Sequence, residues 1–121
     1  MKKLSDYKVL AFDVYGTLID WESGMVDALK PLTDRVSSGL TRDDILEAHA
    51  YHESITQHWT PNKKYSDLLA VVYRRLGEEW GVKVTWEECQ AYGFSVRQWP
   101  AFKDSHTAWR YLKQYYNCLL Y

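Results

Sequence analysis

A short apolar segment that ends at an acidic residue constrains the fold more than any other feature of the sequence. The segment Val9–Phe12 is wholly apolar, Asp13 follows it directly, and Gly16 then breaks the pattern. Continuous apolar runs of this length are typical of strands covered on both faces, as in a parallel sheet. Open α/β sheets bind their ligands at the carboxyl ends of such strands. The sequence therefore predicts a buried strand over residues 8–14, with Asp13 at its functional end.

The chain after Asp20 has the periodicity of helices and returns to a strand pattern only near its end. Breaks and capping residues divide it into predicted helices at about residues 22–37, 41–57, 65–80, 85–97 and 105–115. Thr41-Arg-Asp-Asp44 and Thr85-Trp-Glu-Glu88 have the form of capping boxes at two helix starts. Residues 116–121 predict a second strand. The order indicates a mostly helical α/β protein with a helical insert after its first strand.

Two segments carry a resemblance to a known family. Asp13-Val-Tyr-Gly-Thr-Leu18 resembles the first motif of the haloacid dehalogenase (HAD) superfamily, and Trp99-Pro-Ala-Phe-x-Asp104 looks like the type II 2-haloacid dehalogenase branch. The resemblance covers essentially all 121 residues, but only the N-terminal half of the family's chain. It implies a truncated Rossmann-like parallel sheet formed by residues 1–20 and 100–121, and a helical cap formed by residues 21–99.

The resemblance makes Asp13 the nucleophile of a hydrolase. A carboxylate at a strand end can attack an electrophilic carbon and form an ester intermediate. Gly16 permits a tight turn whose N–H groups face an anionic substrate, and Thr17 can hold the carboxylate or the substrate by a hydrogen bond. Superfamily phosphatases carry a second Asp two residues after the nucleophile, where this chain has Tyr15. Because a leaving halide needs no proton, Tyr15 favours hydrolysis of a small 2-haloacid without a metal or other cofactor.

Aromatic and histidine side chains supply the other candidates for the substrate site. Trp99 and Phe102 lie where the predicted cap returns to the core, and they are the best candidates for an apolar pocket wall, with core packing as the alternative. His52 is a candidate for the pocket beneath the cap. His49, His52 and His58 have no established zinc spacing, so the sequence predicts no metal site.

Several family features cannot be assigned in this sequence. The substrate-binding Ser or Thr of the second strand, the later Lys and the water-positioning acid have no counterpart, and residues 48–53 contain no Arg to bind a substrate carboxylate. Two functions therefore stay open: a HAD-like hydrolase of small organic acids, and a catalytically incomplete, truncated member that acts as a small-molecule-binding or dimeric interaction protein. The unpaired edges of a two-stranded sheet predict a homodimer. Exchange of strands between the two chains is one way in which this dimer would form.

Composition excludes several other partners. With 15 basic and 16 acidic residues and no basic run, the chain lacks the charge pattern of a nucleic-acid or membrane-surface protein. No apolar stretch approaches the roughly 20 residues that span a bilayer. The polar N-terminus is unlike a signal peptide, and two cysteines far apart in sequence predict reduced thiols. We therefore expect a soluble cytoplasmic protein.

Overall fold

Five α-helices and two strands are the main elements of the chain, and the computed structural model describes all 121 residues. In chain order they are β1 (Val9–Phe12), α1 (Trp21–Thr33), α2 (Arg42–Trp59), α3 (Tyr65–Glu79), α4 (Trp86–Ser95), α5 (Ser105–Leu112) and β2 (Asn117–Leu120). The strands are parallel and the chain between them is helical, so the predicted fold class is confirmed. No helix has both the length and the apolar character that crossing a membrane requires.

The chain divides into two compact units, which are described separately. The strand unit comprises Met1–Ser23 and Trp99–Tyr121, and the helical unit comprises Gly24–Gln98. In the strand unit, β1 pairs with β2 so that Val9 is opposite Asn117 and Phe12 is opposite Leu120.

The two faces of this sheet differ in what covers them. The Phe12 ring meets the Trp109 ring of α5 edge to face, with the ring centroids 5.3 Å apart. Because side chains alternate across a strand, the opposite face carries Val9, Ala11 and Leu119, all of which are exposed. The predicted burial of β1 on both faces is therefore not observed, because the side chains of this second face are exposed.

The helical unit is built around α3, which packs against both α2 and α4. Apolar residues three and four apart give α3 a continuous buried surface formed by Leu68, Leu69, Val72, Tyr73 and Leu76. Gly81 ends this helix in a left-handed conformation with φ of +68°. The Val82 N–H then donates to the Gly77 carbonyl at 2.8 Å, which satisfies one of the helix's terminal acceptors.

Both predicted capping boxes are present. The Asp44 N–H donates to Thr41 Oγ1 at 3.1 Å, and Asp44 Oδ2 accepts the Thr41 N–H at 2.8 Å. Thr85 and Glu88 form the same reciprocal pair at the start of α4. Hydrogen bonds from Thr41 hold the pKa of Asp44 below its usual value. These contacts satisfy helix N–H groups that would otherwise lack a partner.

Removal of the Thr41 hydroxyl gives a stability prediction. Thr41→Ala should lower the free energy of unfolding by about 1 kcal/mol, because the Asp44 N–H loses its acceptor. Thr41→Ser retains the hydroxyl and should retain most of that stability. Urea unfolding followed by circular dichroism measures both variants. Equal losses in the two variants would show that the methyl group, and not the cap, is responsible.

Candidate functional site

The candidate site begins at Asp13, the first residue after β1. Its side chain is exposed, and Oδ1 accepts the N–H of Val14 at 2.7 Å. This bond turns the carboxylate back over its own backbone and leaves Oδ2 without a hydrogen bond. The structure thus places an accessible carboxylate oxygen at the carboxyl end of a parallel strand, the position predicted for the nucleophile.

The loop that follows is closed by its own backbone hydrogen bonds. The Val14 carbonyl accepts the N–H groups of Thr17, Leu18 and Ile19 at 3.3, 2.8 and 3.0 Å. Gly16 donates to the Ile19 carbonyl at 2.9 Å and has φ of +84°, a conformation that strongly favours glycine. The N–H groups of residues 16–19 are thus already used inside the loop. The Thr17 side chain is exposed and makes no hydrogen bond with Asp13.

Two of the predicted site residues, Tyr15 and Trp99, contact each other in the strand unit. Their ring centroids are 6.0 Å apart with an interplanar angle of 73°, an edge-to-face arrangement. Trp99 is buried, whereas Tyr15 is about half exposed, with 46% of its surface accessible. The contact therefore fixes one side of the Tyr15 ring while the rest of that ring remains on the surface beside the loop.

Backbone pairing explains why these distant residues meet. The Phe102 N–H donates to the Leu18 carbonyl at 3.0 Å, and the Asp20 N–H donates to the Pro100 carbonyl at 2.8 Å. A hydrogen bond of 2.7 Å from Ser105 Oγ to the Leu18 carbonyl extends this attachment to the first turn of α5. These bonds hold the backbone of Phe102 beside the loop, and its predicted role in binding a substrate stays a prediction.

The remaining carboxylate of this region, Asp20, has a structural role. Its two oxygens accept the N–H and the hydroxyl of Ser23 at 3.2 and 2.8 Å, so the side chain caps the start of α1. Asp13, by contrast, makes no capping bond to a helix and keeps Oδ2 accessible.

His52 lies in the helical unit, on α2. Its Nε2 is 2.5 Å from Glu79 Oε2 on α3, and only 16% of its side-chain surface is exposed. This pairing ties α2 to α3. The contacts of His52 within its unit therefore give it a helix-linking role, and its predicted place in a substrate pocket stays a prediction.

A buried polar cluster in the helical unit was missed by sequence reasoning. His49 is fully buried, its Nε2 is 2.8 Å from the Tyr92 hydroxyl, and its Nδ1 has no hydrogen-bond partner. Glu53 Oε2 lies 3.6 Å from that Nδ1, and Glu53 Oε1 accepts the Tyr65 hydroxyl at 2.7 Å. The spacing from buried Ile45 would have placed His49 on the inner face of α2.

Burial controls the ionisation of His49. The loss of hydration, together with the nearby charge of His52, lowers its pKa from the usual 6.5 to about 4. The ring is therefore neutral at pH 7. Tyr92 also has its pKa raised by burial, so the hydroxyl stays protonated and can donate to His49. The adjacent Glu53 carboxylate favours the tautomer with hydrogen on Nδ1.

The low pKa of His49 makes the protein less stable in weak acid. Unfolded His49 binds a proton below pH 6.5, whereas the folded ring stays neutral down to about pH 4, so acid favours unfolding. The free energy of unfolding should fall by about 2 kcal/mol between pH 7 and pH 5. Three carboxylates also stabilise the fold, because their pKa values are lowered: Asp44, Glu78 and Glu88. Their contribution to the free energy of unfolding declines only below about pH 5, outside the interval measured.

Matched histidine variants test this assignment through urea unfolding at pH 7 and pH 5. His49→Gln should remove most of the pH dependence, because the buried titrating group is gone. His58→Gln changes an exposed histidine of the same helix and should keep the full dependence. If the free energy of unfolding of His49→Gln fell between pH 7 and pH 5 as much as that of the wild type, the pH dependence would belong to another group.

Comparisons with known proteins define the fold. No family model matches the chain, and neither does any curated protein. Among solved structures, the chain is similar to the HAD-hydrolase YfnB from Bacillus subtilis, crystallised with magnesium, with a TM-score of 0.66 and 17% sequence identity. The alignment covers 94% of this chain and 51% of that one.

The fold is HAD-like. At 17% identity the similarity establishes the fold and does not transfer an activity or a substrate. The chain spans about half the length of the YfnB chain that it matches. Within this HAD-like fold, the predicted first motif occupies the end of β1 and the closed loop that follows.

Proposed function

We propose that this chain is a HAD-like hydrolase of the type II dehalogenase kind, in which Asp13 is the nucleophile toward a small 2-haloacid. The observation that carries the proposal is the position of Asp13. Its carboxylate is exposed at the carboxyl end of β1, and its Oδ2 has no hydrogen bond that an attack would have to break. That location is where α/β sheets bind and transform their ligands.

The proposed chemistry has two steps. Asp13 Oδ2 forms a bond to C2 of the haloacid, the carbon–halogen bond breaks, and the halide leaves with the bonding electrons. Water then adds to the ester carbonyl, the ester bond breaks, and the products are the 2-hydroxyacid, free Asp13 and a proton released to solvent. Oxidation states balance throughout, so the reaction needs no redox partner.

The aromatic neighbours of the loop support a carbon substrate. Tyr15, two residues after the nucleophile, presents part of an aromatic ring where a phosphatase of this superfamily carries its second Asp, and buried Trp99 supports that ring. An aromatic side chain at that position of the sequence suits an organic carbon centre better than a phosphate group, because it supplies no carboxylic acid to protonate a leaving oxygen.

The proposed reaction has no step that needs the magnesium bound in the YfnB structure. The attack uses the Asp13 carboxylate alone, and Asp20 uses both of its carboxylate oxygens to cap α1. No group of three acidic, histidine or cysteine side chains in this chain is placed to hold a metal.

Halide release tests the proposed activity. The purified chain is incubated with 2-chloropropionate, and chloride and 2-hydroxypropionate are measured together. Equal formation of both is expected, without added metal. A parallel incubation with p-nitrophenyl phosphate and Mg²⁺ examines the phosphatase alternative. Phosphate release without chloride release would overturn the proposal.

A second function, a small-molecule-binding protein without turnover, is favoured by the loop geometry. The N–H groups of residues 16–19 donate to carbonyls of the same loop, so they are not directed at an anion whose charge develops during a reaction. Binding of 2-chloropropionate or 2-hydroxypropionate that raises the melting temperature, with no chloride released, would favour this function over catalysis.

A further inference from the structure

An apolar stripe runs along the outer face of α2. Tyr51, Ile55 and Trp59 are four residues apart, so they lie above one another on the same side of the helix. Their exposed fractions are 63%, 40% and 77%. Exposed apolar patches that are continuous in this way mark interaction sites more often than isolated apolar residues do.

The opposite face of the same helix is already occupied. Ile45, His49 and Thr56 are buried on it, and α2 packs there against α3. The stripe is therefore not the core-facing surface of an amphipathic helix. It is a second apolar face that this chain leaves in contact with water.

Charges along α2 indicate what would cover the stripe. Asp43, Asp44 and Glu47 make the start of the helix acidic, with Arg42 as the one base among them, whereas His58, Lys63 and Lys64 lie at its end or just beyond. Two antiparallel copies of α2 would place the acidic end of each against the basic end of the other. Parallel copies would place like charges together and align the helix dipoles unfavourably.

We propose that two copies of this chain associate through their α2 helices, antiparallel and related by a two-fold axis near Tyr51. A surface that is complementary to itself is what such symmetry requires. The exposed parts of the three stripe residues offer roughly 400 Å² per copy. A standard interface buries about 800 Å² per partner, so the stripe supplies about half and the charged margins supply the rest.

Sedimentation equilibrium over a concentration series tests the proposal. The wild-type chain should dimerise reversibly, and Ile55→Glu/Trp59→Glu should weaken the dimer at least ten-fold. The matched control is Trp86→Glu/Phe94→Glu, which adds the same two charges at exposed apolar residues of α4 and should leave the dimer intact. A wild-type monomer at every concentration, or equal dimers of all three proteins, would overturn the proposal.

Charge-reversal variants test the proposed pairing without changing the stripe. Asp43→Lys/Glu47→Lys and Lys63→Glu/Lys64→Glu should each dimerise poorly, because each places like charges at both ends of the interface. An equimolar mixture should form a heterodimer with restored affinity. No heterodimer, with both variants folded by circular dichroism, would contradict the pairing.

Disulfide trapping distinguishes the antiparallel arrangement from a parallel one and from strand exchange. In a Cys118→Ser background, Tyr51→Cys should cross-link readily because it lies near the axis. Trp59→Cys should not, because two such residues would be about 24 Å apart along the antiparallel helices, far beyond the reach of a disulfide. Equal cross-linking at both positions would indicate parallel helices. Cross-linking at neither, in a dimer, would indicate strand exchange, and either result overturns the proposal.

Discussion

Asp13→Asn should abolish chloride release from 2-chloropropionate, with a fall in rate of roughly a thousand-fold or more. An amide is a far weaker nucleophile than a carboxylate, so the ester intermediate does not form. The substitution is almost isosteric, and the Asn Oδ1 can still accept the Val14 N–H that now bonds to Asp13 at 2.7 Å. Stability should therefore change little, and the loss of activity would reflect chemistry rather than unfolding.

Intact mass spectrometry gives this prediction a second readout. The wild-type chain, quenched during turnover, should show an added mass equal to the substrate acid less hydrogen chloride, and Asp13→Asn should lack it. Asp104→Asn is the matched control, since Asp104 is an exposed acid of the strand unit whose side chain makes no capping hydrogen bond. Chloride release at the wild-type rate from Asp13→Asn would exclude Asp13 as the nucleophile.

Local sequence signals were sufficient for most of the secondary structure. The capping boxes at Thr41 and Thr85 start α2 and α4 as predicted, because a cap depends only on residues within one turn. Asp104 is of a residue type that commonly caps helices, and it directly precedes α5, but its side chain forms no capping bond. Ser105 makes the attachment there instead, through its hydrogen bond to Leu18. That contact joins residues far apart in sequence, so a local pattern gives no sign of it.

Helix ends were predicted less well than helix starts. α1 ends at Thr33 and not at Ser37, although apolar Val36 continues the periodic pattern. The N–H of Val36 donates to the Thr33 carbonyl at 3.1 Å, three residues back, which is a turn rather than an α-helical bond. Periodicity records which side chains face inward, and a turn can satisfy that requirement as well as a helix can.

The candidate site was likewise predicted only in part. The position of Asp13 followed from an apolar strand and a turn, whereas the bonds that close the loop between Val14 and Ile19 depend on backbone geometry that the residue types do not specify. The environment of His49 depends on Tyr92, which lies 43 residues away in sequence. The histidine pattern alone, without that partner, gave no sign that the His49 side chain is fully buried.

The close approach of α3 and α4 at Gly93 leads to the largest expected loss of stability. A Cβ built on Gly93 would lie 2.1 Å from the Ser66 carbonyl oxygen and 3.4 Å from the Ala70 nitrogen. Both are backbone atoms of α3, so no side chain can rotate away. Gly93→Ala would force the two helices apart and loosen the core that Tyr73 and Tyr92 share, where their rings are 5.2 Å apart.

Two opposing effects decide the outcome of Gly93→Ala. Alanine is favoured over glycine inside a helix by about 1 kcal/mol, which would stabilise α4. Overpacking a core costs typically 1–3 kcal/mol and more when backbone must move, so we expect a net loss of about 2 kcal/mol or more in the free energy of unfolding. Gln90→Ala is the control, because it is exposed on α4 and should be neutral or slightly stabilising. Urea unfolding of the two variants compares them directly. If Gly93→Ala were as stable as wild type, the helices could not be in the contact described, and the packing of α4 on α3 would have to be revised.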